Sequence, residues 1–130
     1  MKICGIELKA NNIIFCIVQN KEYCEVKIKK LQLLDDENQN EIFELRNSIE
    51  TFLLQNDIKK IRIKKRAKKG NFAGGAITFK MESIIQLNNI AKVEFISSQS
   101  LSKYQKKNEI KYPNNLNKYQ EQAYLCAIYE

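Results

Sequence analysis

Histidine is absent from this 130-residue chain. That absence excludes Ser-His-Asp and Cys-His nucleophilic sites, imidazole general bases and most zinc centres. Any general base must be a glutamate, an aspartate, a lysine or a metal-bound water. Any metal must be held by carboxylates, which favours magnesium or manganese. The four cysteines, Cys4, Cys16, Cys24 and Cys126, include no CxxC pair. Their spacing suits neither a zinc knuckle nor a disulfide framework, so reduced core residues are expected. One proline and four glycines leave little room for long disordered linkers. The longest apolar run, Ile13 to Val18, is too short to span a bilayer, so no membrane association is expected. A strand pattern begins directly at Met1, with no secretory signal apparent, and a soluble cytoplasmic protein is expected. The length predicts a single domain over residues 1–130, and an apolar fraction of 44% suffices for its core.

What the chain has is a local excess of positive charge. Eight of the eleven residues from Lys59 to Lys69 are basic and none is acidic. The whole chain carries a net +7; without this stretch it would carry −1. Such a run is also what a solvated face looks like. Beside the glycines Gly70, Gly74 and Gly75, however, it has the makings of a phosphate site. Lys64, Lys65, Arg66, Lys68 and Lys69 would neutralise backbone phosphates, and the glycines would let the backbone approach closely. Phe72, between those glycines, either stacks on a base or folds back on the following helix. No GxxxxGK[ST] is present, so the segment is not a Walker A loop.

Periodicity orders the chain as β-β-β-α-β-α-β-α-α. Met1 to Leu8 is apolar on both faces and suits a central strand. Ile13 to Val18 follows after a short turn, which implies an antiparallel hairpin. A third strand is expected from about Tyr23 to Leu33, half-solvated, with Val26, Ile28 and Leu31 on one side. As an edge it is a candidate for pairing across a homodimer axis. Helical spacing of Ile42, Leu45, Ile49, Phe52 and Leu53 predicts a helix over 40–55. Ile58 to Lys64 alternates as a fourth strand, with Ile61 and Ile63 inward and Arg62 and Lys64 outward. A second helix is expected from Gly74 or Gly75 to about Asn88. Val93 to Ile96 is a fifth strand. Ser98 and Ser100 are candidate caps for a short basic helix through Lys107. Tyr119 to Tyr129, apolar almost all round from Ala123, predicts a buried last helix.

The opening Lys2-Ile-Cys-Gly-Ile-Glu-Leu-Lys9, followed by a hairpin, resembles RNase H-like nucleases of the Holliday-junction resolvase (RuvC-like) branch. Val93 to Lys103 is similar to that family's fifth strand and the lysine-bearing helix after it. Tyr119 to Ile128 resembles its C-terminal helix, and Gly70 to Ala76 is similar to an uncharacterised bacterial subgroup. The resemblance implies an α/β fold with a mixed five-stranded sheet and helices on both faces. The first three strands would form an antiparallel meander, with the fourth and fifth parallel to the first. It also implies carboxylates converging on two magnesium ions. Glu7 corresponds to the first acid, where the family more often has aspartate. Lys64, Lys65 and Arg66 stand where the second belongs. The last falls at Glu121 or Gln122, with Glu82 as a further candidate.

Three functions follow as expectations. One is a nucleic-acid-binding protein, for DNA or RNA, on a degenerate RNase H-like scaffold. It would hold phosphates with Lys64, Lys65, Arg66, Lys68, Lys69, Gly74 and Gly75. Lys103, with Lys106 and Lys107, would extend the groove, lined by Tyr104, Tyr112 or Tyr119 unless these pack in the core. The second is a magnesium- or manganese-dependent nuclease with Glu7 as metal ligand, joined by Glu82 or Glu121. The third is an interaction module docking an acidic partner.

Overall fold

The computed structural model describes residues 1–70 and 75–130. β1 (Lys2–Lys9) and β2 (Asn12–Gln19) pair antiparallel along their whole length, from Lys2 opposite Gln19 to Lys9 opposite Asn12. Asn20 and Lys21 both take positive φ, which suits a tight hairpin into β3 (Glu22–Cys24). β4 (Lys30–Gln32) pairs with the other end of β2. After α1 (Gln39–Gln55), β5 (Lys60–Lys64) runs parallel to β1. After α2 (Ala76–Gln86), β6 (Lys92–Ile96) runs parallel to β5. The strand order is β3-β2-β1-β5-β6, with β4 beside β2. This is the expected mixed sheet: an antiparallel meander joined to parallel strands.

The third strand departs from expectation. It is two short pieces, not one strand from Tyr23 to Leu33. Val26 and Leu31 both pack on the same core cluster, yet they are five residues apart. An odd separation puts side chains on opposite faces of a regular strand, so the backbone must break step between them. It does so around residues 25–29, where Ile28 stays 43% exposed. Phe15 N–H still donates to the Lys29 carbonyl at 2.8 Å, which holds the irregular stretch against β2.

Asn38 caps α1 by accepting from Glu41 N–H at 3.2 Å. α1 lays Leu45, Ile49, Phe52 and Leu53 on the sheet, and Phe52 stacks on Phe15. α2 adds Met81, Ile84 and Ile85. It stops at Leu87, short of Asn88, whose side-chain oxygen takes the Ile90 and Ala91 amides and turns the chain. These helices cover the face carrying Cys4, Ile6 and Leu8.

The opposite face carries Ile14, Cys16 and Val18 and is covered by α3 (Ser98–Lys107) and α4 (Glu121–Ile128). Ser97 caps α3, not Ser98 or Ser100: its hydroxyl accepts from Ser100 N–H at 3.0 Å. A 3-10 turn, Lys118–Gln120, precedes α4, and α4 buries every residue from Ala123 to Ile128, as its apolar composition predicts. α4 crosses β1 at Gly5, where a Cβ would collide with the Ala123 carbonyl.

Candidate functional site

β5 sets up the site by alternation. Ile61 and Ile63 are fully buried on the α1–α2 side. Lys60, Arg62 and Lys64 point to the other face, which is not solvent but the floor beneath α4. Each of these cations is engaged. Lys60 pairs with Glu94 at 3.3 Å, and Arg62 Nε lies 3.6 Å from the same carboxylate. Arg62 also donates from Nη1 to the carbonyls of Ala127, at 3.4 Å, and Tyr129, at 2.5 Å. A cation there satisfies the orphan carbonyls at the helix C-terminus and opposes its dipole. The outward placement expected for Arg62 and Lys64 is thus corrected: both are half-buried.

Lys64 bridges two elements. Its Nζ donates to Gln122 Oε1 on α4 at 2.9 Å and lies 4.0 Å from Glu7 Oε2 on β1. Glu7 shares the sheet face of Gly5 and is only 9% exposed. Burial pushes its carboxyl above the usual range, while Lys64, Lys9 and Arg66 pull it back. The Cys126 thiol, close to the same charges, is pushed up to about 12 by burial, with Lys64 opposing and Glu7 adding. Such a thiol is inert at neutral pH. Burial likewise pushes Cys16 up to about 12 and raises Cys4, and all four cysteines are free.

The other candidate acids do not join Glu7. Glu82, on α2, is half-buried; burial raises its carboxyl and the charges of Lys68 and Lys65 oppose that rise. It therefore belongs with the basic loop. Glu121 is half-buried in the first turn of α4. Among the described residues, no three of His, Cys, Asp or Glu are grouped so that they could hold a metal ion. With an ammonium and an amide beside Glu7, the side chains present do not fit a magnesium or manganese centre.

Beyond Lys64 the strand pairing continues for one step, as Lys65 N–H donates to the Ile96 carbonyl at 2.8 Å. The chain then leaves the sheet and walls a cleft of about 790 Å³. Lys64–Gly70 form one side, and Ser97, Ser98 and Gln99 at the N-terminus of α3 form the other. The cleft thus sits at the carboxyl ends of two parallel strands, where open α/β sheets bind ligands. Lys65, Lys68 and Lys69 are exposed; Arg66 is half-buried, with Nε unpartnered among the described residues. Gly70 takes φ of +91°, which favours glycine. Gly75 precedes α2 in extended backbone, and among the described residues nothing beyond its chain neighbours stands within 4 Å of where a Cβ would be. Gly74 and Phe72 lie outside the described residues.

Lys103 is exposed on α3 but does not line the cleft. Lys106 and Lys107 lie in the last turn of α3, before Asn108, which shares a hollow with Lys21 at the far end of the sheet. Among the described residues, the two basic clusters therefore share no cleft. Tyr104 packs on Tyr129 and Tyr112 on Tyr124, in the core; Tyr119 is 41% exposed, with Lys30 over its ring. Sequence reasoning missed Ser97, Ser98 and Gln99, although consecutive serines after a strand are a helix-start signal. It also missed the pairing of Arg62 with the end of α4, which no local pattern encodes.

Two solved structures superpose on nearly the whole chain. "Thermus thermophilus RuvC structure" matches with a TM-score of 0.70 and 6% identity, over 98% of this chain and 91% of that one. "T. thermophilus RuvC in complex with Holliday junction substrate" matches with a TM-score of 0.69 and 7% identity, over 98% and 90%. At such identities the likeness establishes the fold, which is RuvC-like and hence RNase H-like. No curated protein matches in sequence. The model of the family described as "Protein of unknown function (DUF3010)" matches residues 1–130, so the chain belongs to the DUF3010 family.

Proposed function

We propose that this protein binds nucleic acid in the cleft at the ends of β5 and β6 and does not hydrolyse it. On this reading residues 1–130 act as one RNase H-like unit whose acidic centre has degenerated. The observation that carries it is the division of the basic run. The strand cations Lys60, Arg62 and Lys64 are engaged by Glu94, Glu7, Gln122 and the end of α4. The loop cations Lys65, Arg66, Lys68 and Lys69 line an open cleft of about 790 Å³. Clustered cations around a concavity, with no salt bridge among the described residues, are an electrostatic footprint for phosphates. The RuvC neighbour solved with a Holliday junction supports a branched duplex as the first ligand to try.

The experiment is fluorescence anisotropy with a four-way DNA junction, a linear duplex and an RNA strand at about 50 mM salt. Wild type is expected to bind at least one of them, with an affinity that falls steeply as salt rises. Replacing Lys64, Lys65, Arg66, Lys68 and Lys69 by glutamine should abolish binding while the circular dichroism spectrum is kept. Equal affinity in the folded variant would sink the proposal. Divalent-dependent cleavage of any substrate, lost in Glu7→Gln, would replace it with the nuclease reading.

A further inference from the structure

Three side chains from three elements meet beside the cleft, which Lys64 alone of the three lines. Glu7 comes from β1, between the fully buried Ile6 and Leu8. Lys64 follows the fully buried Ile63 at the end of β5. Gln122 stands on α4 beside Ala123, which is locked against Gly5. Each of the three backbones is thus flanked by buried, packed neighbours. The Lys64 and Glu7 side chains are 20% and 12% exposed.

We propose that the Lys64 ammonium is a tethered cation, fixed permanently at the point where these side chains converge. It would bind a ligand phosphate there with no divalent metal. This rests on the nucleic-acid reading above for its ligand, but not for its geometry. An ammonium has three N–H donors. One reaches Gln122 Oε1 at 2.9 Å, and a second faces Glu7 Oε2 at 4.0 Å. Lys64 also lines the cleft, so a third donor is available to a phosphate oxygen entering from that side. The charges of Lys9 and Arg66 also act on Glu7. A divalent cation approaching Glu7 would meet three positive groups and one carboxylate. Repulsion would exclude it at millimolar concentration.

The geometry also states how to reverse the arrangement. Lys64→Glu with Gln122→Glu would bring three carboxylates to one point. Isothermal titration with manganese chloride alone should then give saturable binding, and adding Glu7→Gln should remove it. Wild type should give no saturable heat. Lys64→Met should weaken junction affinity and lower the salt slope by about one.

Saturable manganese binding by wild type that Glu7→Gln abolishes would overturn the proposal. So would a folded double variant that ignores manganese. Should the double variant not fold, the wild-type titration and the Lys64→Met salt slope decide alone: manganese binding or an unchanged slope refutes it. If wild type binds no nucleic acid at all, the functional reading above fails, and the manganese titrations still judge the tethered cation.

Discussion

A Cβ on Gly5 would collide with the Ala123 carbonyl and stand 2.7 Å from the Ala127 amide nitrogen. Both obstacles are backbone, and neither rotates away. Gly5→Ala should therefore cost about 3 kcal/mol or more, read as a lowered urea midpoint. Two residues further, Glu7 makes stability depend on pH. Its ordinary pKa is 4.5, and burial raises it in the fold. Between those two values the folded protein holds more protons than the unfolded chain, so stability falls as pH rises through that window. Below 4.5 the carboxyl is protonated in both states and the contribution is fully present. The urea midpoint of wild type should thus drop relative to Glu7→Gln as pH climbs from 4.5 toward neutrality, and parallel curves would show the carboxyl to be unstrained. Glu7 was legible as a position, because a carboxylate inside an apolar strand demands a partner; the ambiguous Glu121–Gln122 step came from the family resemblance of the last helix. The partner itself was not legible: Lys64 reaches Gln122 across 58 residues of sequence.

Among the elements, β5 shows what alternation tells and what it omits. It placed Ile61 and Ile63 in the core but could not say what covers the alternate side chains. α4 held that answer, since a helix apolar all round from Ala123 to Ile128 needs a sheet beneath it. The structure joins the two through Arg62, 15% exposed, on the terminal carbonyls of α4. Arg62→Gln should cost about 2 kcal/mol by stranding those groups. Lys65→Gln, Lys68→Gln and Lys69→Gln together should stay within about 0.5 kcal/mol, because their side chains stand in solvent. Chemical denaturation of both variants tests the division between engaged strand and open loop; equal losses would dissolve it. The third strand holds the opposite lesson. Val26 and Leu31 cannot share a face of one regular strand, so their odd spacing already contained the break between β3 and β4.

Taken as a whole, the molecule is nearly neutral apart from one patch. Its net +7 becomes +2 when the five cations from Lys64 to Lys69 are neutralised. A patch at one end of a sheet orients an approaching polyanion before contact. Stopped-flow mixing with junction DNA should therefore show an association rate that falls steeply with salt in wild type and only weakly in the neutralised protein. Element order was legible across nearly the entire chain, because it rests on local period; the first hairpin rests on connection length, and the parallel placement of the later strands came from the family resemblance. The cleft was half legible: its basic wall is contiguous in sequence, while its other wall, Ser97 to Gln99, arrives from the end of another strand. That return of distant segments also governs how the chain can be made. Ile14, Cys16 and Val18 on β2 stay bare until Ala123 to Ile128 cover them, and Phe15 waits for a hydrogen bond from Gln120, 105 residues later. A ribosome delivers the apolar strands first and their lid last. While those 105 residues are being made, that sheet face stays open to whatever chaperone or neighbouring chain reaches it first.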